Sequence, residues 1–580
     1  LRRDLSTLFP SPHHPAPPTE RMQLPPLPST SAAPQPRVLV LDNGGHSIKA
    51  AWAQAGSSAV ASEPMVETYR NAIARSKAAK RSFVADELAD ECDDFGGLTF
   101  RVPMERGILN NWEVEKTVWD RVFGSRGRGL SIAPQDTNLL VTEPVFNLPN
   151  VQDHYDQIVF EEYEFQSYLR CPGPAVVPYG LDARGSSTAP VPECALIIDS
   201  GFSFTHVVPV LRGRIVTNAV RRIDIGGKLM TNYLKEIVSY RHWYMMDQTS
   251  VMEHAKEEVC YVSTQWKQDL ETANRDGNPL VRTYVLPDFL PDSTNKLGYV
   301  RTGLTPPPAS PPPVDPSAPY NASQPEKDEE QLLYLCNERF SVPEVLFNPS
   351  TIDMNQAGLA ETVGLCISLL PLDLQGMFWS NIVCVGGNAA FQGFGERLQS
   401  ELRSVAPPEH VVNVTISRSP TTTIASSAAS YLSLAHNSRS HAHFPTPLSP
   451  SSFVTRQEYL EAGSNACRRK FGAFYWPGGK KGDTETRRQR HDPLKDGPEF
   501  LPTQPDPAVG RFFHLIVYDL FKSAEYCADD LTTDAVRAWY QLGLLDLLNF
   551  LDLFDLLNLL RLLRLDNRLR LLPLVLFVLN

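Results

Sequence analysis

At 580 residues and 42% apolar, the chain is long enough for two or more domains and can bury a sizeable core without difficulty. A formal net charge of −12 excludes a generally basic nucleic-acid binder, because affinity for phosphate comes from clustered Lys and Arg. Nine cysteines with no C-x-x-C pair fit reduced core thiols rather than a disulfide framework, and the opening residues predict no secretory leader.

Residues 1–36 are rich in Pro and Ser and lack apolar periodicity, which predicts an extended spacer. Residues 38–53, VLVLDNGGHSIKAAWA, place two apolar runs around Asp42-Asn43-Gly44-Gly45, a β-hairpin with a small polar tip followed by Lys49. Residues 65–106 carry a basic run, Arg75, Lys77, Lys80 and Arg81. Such a run is usually a solvated face; contact with DNA or an acidic partner is the alternative. Residues 107–193 alternate helix-like and strand-like text and include Gln157 in DQIVFEEY.

A second hairpin follows in residues 195–214, ALIIDSGFSFTHVVPVLRGR, tipped by Asp199-Ser200-Gly201. Glycine at such a tip lets backbone N–H groups approach an anion, since no Cβ stands in the way. A carboxylate ending the first strand holds a cation paired with that anion. One hairpin of this kind is weak evidence; two, one in each half of a core, describe a clamp around a metal–phosphate group.

Residues 215–303 predict an αβ region in which VSYRHW and SVMEHAKEEVCYVSTQW are helices by their i, i+3/i+4 apolar spacing. The proline-rich stretch 304–328 has to be a surface insertion. Helix-like text runs over 355–370, and IVCVGG, 382–387, ends a buried strand on Gly386-Gly387 before the helix FGERLQSELRSV. Residues 437–452 form a second Pro/Ser-rich insertion. Beyond Trp476 come a basic stretch, 478–492, read as a nuclear-import signal or a solvated segment, and a short helical candidate, 508–541. The Leu-rich end repeats a polar residue every third position from Asp546 to Arg564, a spacing that drifts around a helix and leaves no clean apolar face. Its charges also argue against a membrane span. It reads as low complexity or a gene-model error, with a partner-binding helix as the other reading.

Asp-Asn-Gly followed by Lys49, and LIIDSG with Thr205-His206, resemble the two phosphate loops of actin. The likeness is colinear over residues 37–471 and includes GILNNWEVEKTVWDRVF, LLVTEPVFN, IDIGGKLMTNYL, KEEVCYV, IVCVGGNAAFQGFGERL and RQEYLEAGSNACRRKF. DSGFSFTHVVP, RRIDIGGK and ERFSVPEVLFNPS are most similar to a nuclear branch of the actin-related proteins, one that belongs to a histone-exchange (SWR-type) chromatin remodeller.

What the resemblance implies is an α/β, actin-like (actin/Hsp70/hexokinase superfamily) two-lobed fold with a nucleotide cleft between the lobes. Residues 1–36 and 472–580 fall outside that domain. The implied ligand is ATP or ADP with Mg, the metal held through water by Asp42 and Asp199. Around the phosphates would lie Gly44, Gly45, Lys49, Gly201 and Ser203; around the nucleoside, Gly227, Lys256, Glu257, Gly386 and Gly387. Lys256 and Glu257 are adjacent on a helix, so at most one need face the pocket. Gln157 matches a glutamine that orders the attacking water, a task for a buried amide that donates and accepts, and His206 accompanies it.

Four departures qualify this. His46 stands where actin has a glycine, and Phe202-Ser203 stand where it has Asp and Gly. The stretch 65–106 lacks the long loop by which one actin subunit grips the next, and PTTTIASSAASYL, 420–432, lacks the aromatic and glycines that open that helix in the family, putting the adenine wall in doubt. Replacing a carboxylate beside the nucleotide by a phenyl ring removes a polar group where turnover depends on charge placement. The expectation is a non-enzymatic, non-polymerising subunit whose nucleotide binding is weak, slow to turn over or absent. It would dock with a zinc-finger subunit onto a remodelling ATPase, engage the nucleosome through that complex, avoid membranes, and reside in the nucleus, with the cytoplasm as a second location. An active ATPase or sugar-kinase-like enzyme, favoured by Gln157 and His206, and a cytoskeletal filament subunit are the alternatives.

Overall fold

The computed structural model describes residues 37–53, 64–77, 79–181, 192–275, 277–288, 295–301, 330–437 and 447–476. The spacer 1–36, the insertion 304–328, most of the insertion 437–452 and everything expected beyond Trp476 lie outside the described residues.

Two sheets carry the fold, and each is built around one of the two hairpins. In the first, the order is Val454–Thr455, Ser167–Pro172, Thr137–Glu143, Arg37–Asn43, Ser47–Ala53, Val66–Arg70. The hairpin strands Arg37–Asn43 and Ser47–Ala53 pair antiparallel, while Arg37–Asn43 runs parallel to Thr137–Glu143 and that strand parallel to Ser167–Pro172. In the second, the order is Arg214–Ile215, Thr205–Leu211, Cys194–Ser200, Ile382–Val385, Val414–Ile416. Again the hairpin is antiparallel and its first strand runs parallel to the next. The register repeats too: Asp42 sits opposite Lys49 and Asp199 opposite His206, each acid one residue before the end of its strand. This is the α/β, two-lobed architecture of the actin fold.

The cores follow from the side-chain alternation of strands. Leu39, Leu41, Leu139 and Leu140 lie in a cluster around the first sheet, covered by Trp119 and Phe160. Along Cys194–Ser200, Ala195 and Ile197 face that same cluster, while Leu196 and Ile198 face a second one with Met230, Val251 and Met252. One strand thereby joins both cores, and its polar tip must emerge between them. A third, small cluster, with Phe83, Leu88, Phe95 and Leu98, stands over the first sheet's hairpin side.

Helix Thr423–Asn437 lies against the first sheet. Its buried face is Ala425, Ala428, Ala429 and Leu432, small residues at helical spacing that allow close approach. The altered family text at 420–432 therefore still makes a helix; at its start Thr423 Oγ1 donates to Ser419 O at 2.8 Å and lies 2.5 Å from Ser417 Oγ.

Three sequence expectations shift. The helix read through SVMEHAKEEVCYVSTQW stops at Val259, because Tyr261 N and Val262 N donate to Arg339 O and Gln392 O and hold the chain extended; a new helix starts at Trp266. VSYRHW leaves its helix at Arg241. The stretch 437–452 is not loop throughout: Asn437 ends a helix and Leu448 is fully buried. Among the described residues no helix is long and apolar enough to cross a membrane.

Candidate functional site: two facing hairpin tips

The first tip is braced from below. Asn43 Nδ2 donates to Glu115 Oε1 at 2.5 Å and to Tyr155 OH at 2.9 Å, and Trp119 Nε1 donates to Asn43 Oδ1 at 3.4 Å. Thr142 Oγ1 donates to Asp42 Oδ1 at 2.7 Å and accepts from Asn43 N at 3.1 Å. Lys49 Nζ stands 3.5 Å from Asp42 Oδ2, as the strand register requires. Asn71 Nδ2 donates to Gly44 O at 3.1 Å.

The second tip is tied to its own lobe. Gly201 N donates to Phe204 O at 3.0 Å, and Ser200 Oγ shares a 2.8 Å bond with Thr205 Oγ1. Asn388 Nδ2 donates to Gly201 O at 2.8 Å and Ser200 Oγ at 3.1 Å. Gly386 adopts φ +92°, and a Cβ there would stand 2.2 Å from Ser200 O, so this glycine is required by both backbone angle and approach. Gly387 begins a short 3-10 turn beside Thr421.

The two tips meet. A Cβ on Gly45 would be 3.0 Å from Ser203 Oγ, and the His46 and Phe202 rings pack edge to face with centroids 5.0 Å apart. Asp199 is half-buried. Burial, then the charge of Asp42 nearby, pushes its pKa up to about 7 against the pull of Lys49. The acids predicted from sequence thus share one electrostatic site, and Lys49 acts on both.

The other sequence candidates divide. Lys256 is buried and donates to Gly227 O at 3.3 Å and Thr231 Oγ1 at 3.0 Å, tying down the first turn of helix Gly227–Arg241; its neighbour Glu257 is exposed. Gly227 N donates to Gly201 O at 3.0 Å. Gln157, expected as a buried amide, is exposed instead. It ends helix Pro149–Gln157, whose buried residues are Tyr155 and Asp156, and the chain then enters the π turn Ile158–Glu162, where Ile158 is buried. His206 is 2% exposed, with its ring centroid 4.2 Å from that of Phe204, and Nε2 has no hydrogen-bond partner among the described residues. Burial, then Arg222, lowers its pKa to about 3, so the ring is neutral at physiological pH.

Arg70 and Glu253, missed by the sequence reading, join His46 at the site. His46 Nε2 lies 2.9 Å from Glu253 Oε1, and Arg70 Nη1 lies 3.0 Å from Glu253 Oε2. Glu253 stands three residues before Lys256 on helix Thr249–Val259, and that i, i+3 relation was the available signal. Burial would raise Glu253, but its cationic neighbours outweigh this and bring it to about 2. Burial, then Arg70, lowers the pKa of His46, while its contact with Glu253 pulls the other way.

Whether Mg-nucleotide fits divides the site in two. Asp42 and Asp199 are carboxylates of the kind that would hold a hydrated Mg ion through water, and the Lys49 ammonium beside Asp42 suits a phosphate. The terminal-phosphate side is altered: Gly201 N donates to Phe204 O, and the His46 and Phe202 rings touch across the tips. A cavity of about 570 Å³ opens elsewhere, lined by Arg70, Phe95, Lys296 and Tyr299 among others, and neither tip contributes to it.

The sequence profile described as Actin matches residues 34–472. The chain is 45% identical over 445 residues to "Actin-like protein ARP6" of Cryptococcus neoformans var. neoformans serotype D, covering 76% of this chain and 86% of that one. It is 37% identical to "Actin-related protein 6" of Neurospora crassa, over 76% of this chain and 95% of the relative. With "Actin-related protein 6" of Drosophila melanogaster the identity is 38%, over 66% and 89%.

Proposed function

Because the chain belongs to the actin family, in its actin-related protein 6 branch, we propose that it is a non-enzymatic structural subunit of a nuclear histone-exchange (SWR-type) remodelling complex. The observation that carries the non-enzymatic part is the His46–Phe202 contact, which bridges two otherwise intact acidic hairpin tips. The lobes remain as a docking body. The remodelling ATPase and a zinc-finger subunit are its direct partners, and the nucleosome is reached through them; this part of the reading is supported by family resemblance and not by the cleft.

Exposed Gln157 and His206, whose burial leaves it a weak base, are poor material for water activation, which supports little or no ATP turnover. The reading without homopolymers is supported by the short connection, residues 77–80, between strands Ile73–Ser76 and Arg81–Val84. An active ATPase is the second reading, favoured by the retained Asp42–Lys49–Asp199 set.

Affinity purification of the tagged full chain from nuclear extract, followed by mass spectrometry, tests the assembly. The expected result is a remodelling ATPase and a zinc-finger protein in near-stoichiometric yield. Recovery without any remodeller subunit would overturn it.

A further inference from the structure

His46 belongs to the first hairpin, Arg70 ends the strand beside it, and both are carried by the first sheet. Glu253 belongs to helix Thr249–Val259, whose Val251, Met252 and Ala255 are part of the second core. The 2.9 Å and 3.0 Å contacts of Glu253 therefore cross from one lobe to the other. Glu253 is 8% exposed, so this is an enclosed pair and not a surface one. The guanidinium of Arg70 also lies 5.5 Å from the Phe100 ring centroid, which fixes its direction.

Further contacts cross nearby. Lys296 Nζ lies 2.6 Å from Asp93 Oδ1, Gly97 N donates to Gln248 Oε1 at 3.3 Å, and Leu297 packs on the small cluster of Phe95 and Leu98. A metal–triphosphate held between two hairpin tips would join the lobes and favour their closed arrangement by the free energy of its own binding. Here side chains already make that join at the same place.

We propose that this chain keeps its cleft shut without nucleotide, the Arg70–Glu253–His46 bridge, backed by the His46–Phe202 contact, taking the role that a bound metal–phosphate would otherwise have. The inference rests on the contacts of this cleft and is independent of the assembly the chain joins. A ligand that adds no preference for the closed state shifts nothing, however it binds. The body offered to partners is then one fixed shape, insensitive to the nucleotide supply.

Hydrogen exchange on the purified full chain tests this, read over 44–48, 66–71, 200–204 and 250–256, with and without millimolar Mg·ATP. Wild-type protection in these segments should be the same in both. Glu253→Gln and Arg70→Gln should each speed exchange there by about tenfold, and the double variant should be little worse than either, because both remove one shared contact. A rise in wild-type protection of about tenfold on adding Mg·ATP would overturn the proposal, as would a folded Glu253→Gln chain that exchanges like wild type. Should either variant fail to fold, the wild-type comparison decides alone. Neither result changes which proteins co-purify, so failure here and failure of the assembly reading are told apart.

Discussion

Glu115 is fully buried and accepts a hydrogen bond from Asn43 at the base of the first tip. Burial pushes its pKa up from 4.5 to about 7, although Asn43, Asn71 and Trp119 pull the other way. Between those values the folded chain holds a proton that the unfolded chain has released, so this residue's contribution falls as pH rises from 4.5 to 7. Glu115→Gln removes the titration but keeps the acceptor for Asn43. Its stability relative to wild type should therefore improve by up to about 3 kcal/mol across that window, as read from urea midpoints at several pH values. A constant difference would refute the assignment. Arg170 poses the opposite case: 2% exposed, it lies 3.1 Å from Glu143 and also pairs with Asp156, so Arg170→Met strands two buried acids and should cost about 3–5 kcal/mol in the same assay. Neither role was legible in the sequence, since Asn43 and Glu115 are 72 positions apart and Arg170 and Glu143 are 27 apart.

Hairpins were the most readable elements, because alternation and a Gly-bearing tip are local signals. The strands Arg37–Asn43 and Ser47–Ala53 and their counterparts fall where the text placed them, and so do Asp42, Lys49 and Asp199. The helix read past Val259 failed for a nonlocal reason: amides of Tyr261 and Val262 are claimed by residues 339 and 392. The expected burial of Gln157 failed because its neighbours Tyr155, Asp156 and Ile158 take the inward positions. Gly386 links two elements, ending strand Ile382–Val385 against the second tip. Gly386→Ala combines a left-handed backbone with a Cβ 2.2 Å from Ser200 O, so it should destabilise by at least about 2 kcal/mol and raise hydrogen exchange at residues 200–204. Gly97, also at positive φ but with nothing within 4 Å, should lose only the backbone component on the same substitution.

At the scale of the whole molecule, two sheets of like topology share strand Cys194–Ser200 between their cores and aim both acidic tips into one place. The resemblance carried by colinear motifs was enough to reach this architecture; what filled the gap was visible only as two odd residues, His46 and Phe202, whose contact spans 156 positions. With the connection at 77–80 so short, the purified chain should stay in the supernatant on centrifugation in polymerising salt, and sedimentation of filaments would count against the non-polymerising reading. The proposed account turns on a cleft retained as a shape while the His46 and Phe202 side chains touch across its two tips. Calorimetric titration of the full chain with Mg·ATP, followed by single-turnover hydrolysis on the same sample, measures this directly. The expected result is binding no tighter than about 1 mM and no hydrolysis above the uncatalysed rate. A dissociation constant near about 1 μM accompanied by phosphate release would contradict it.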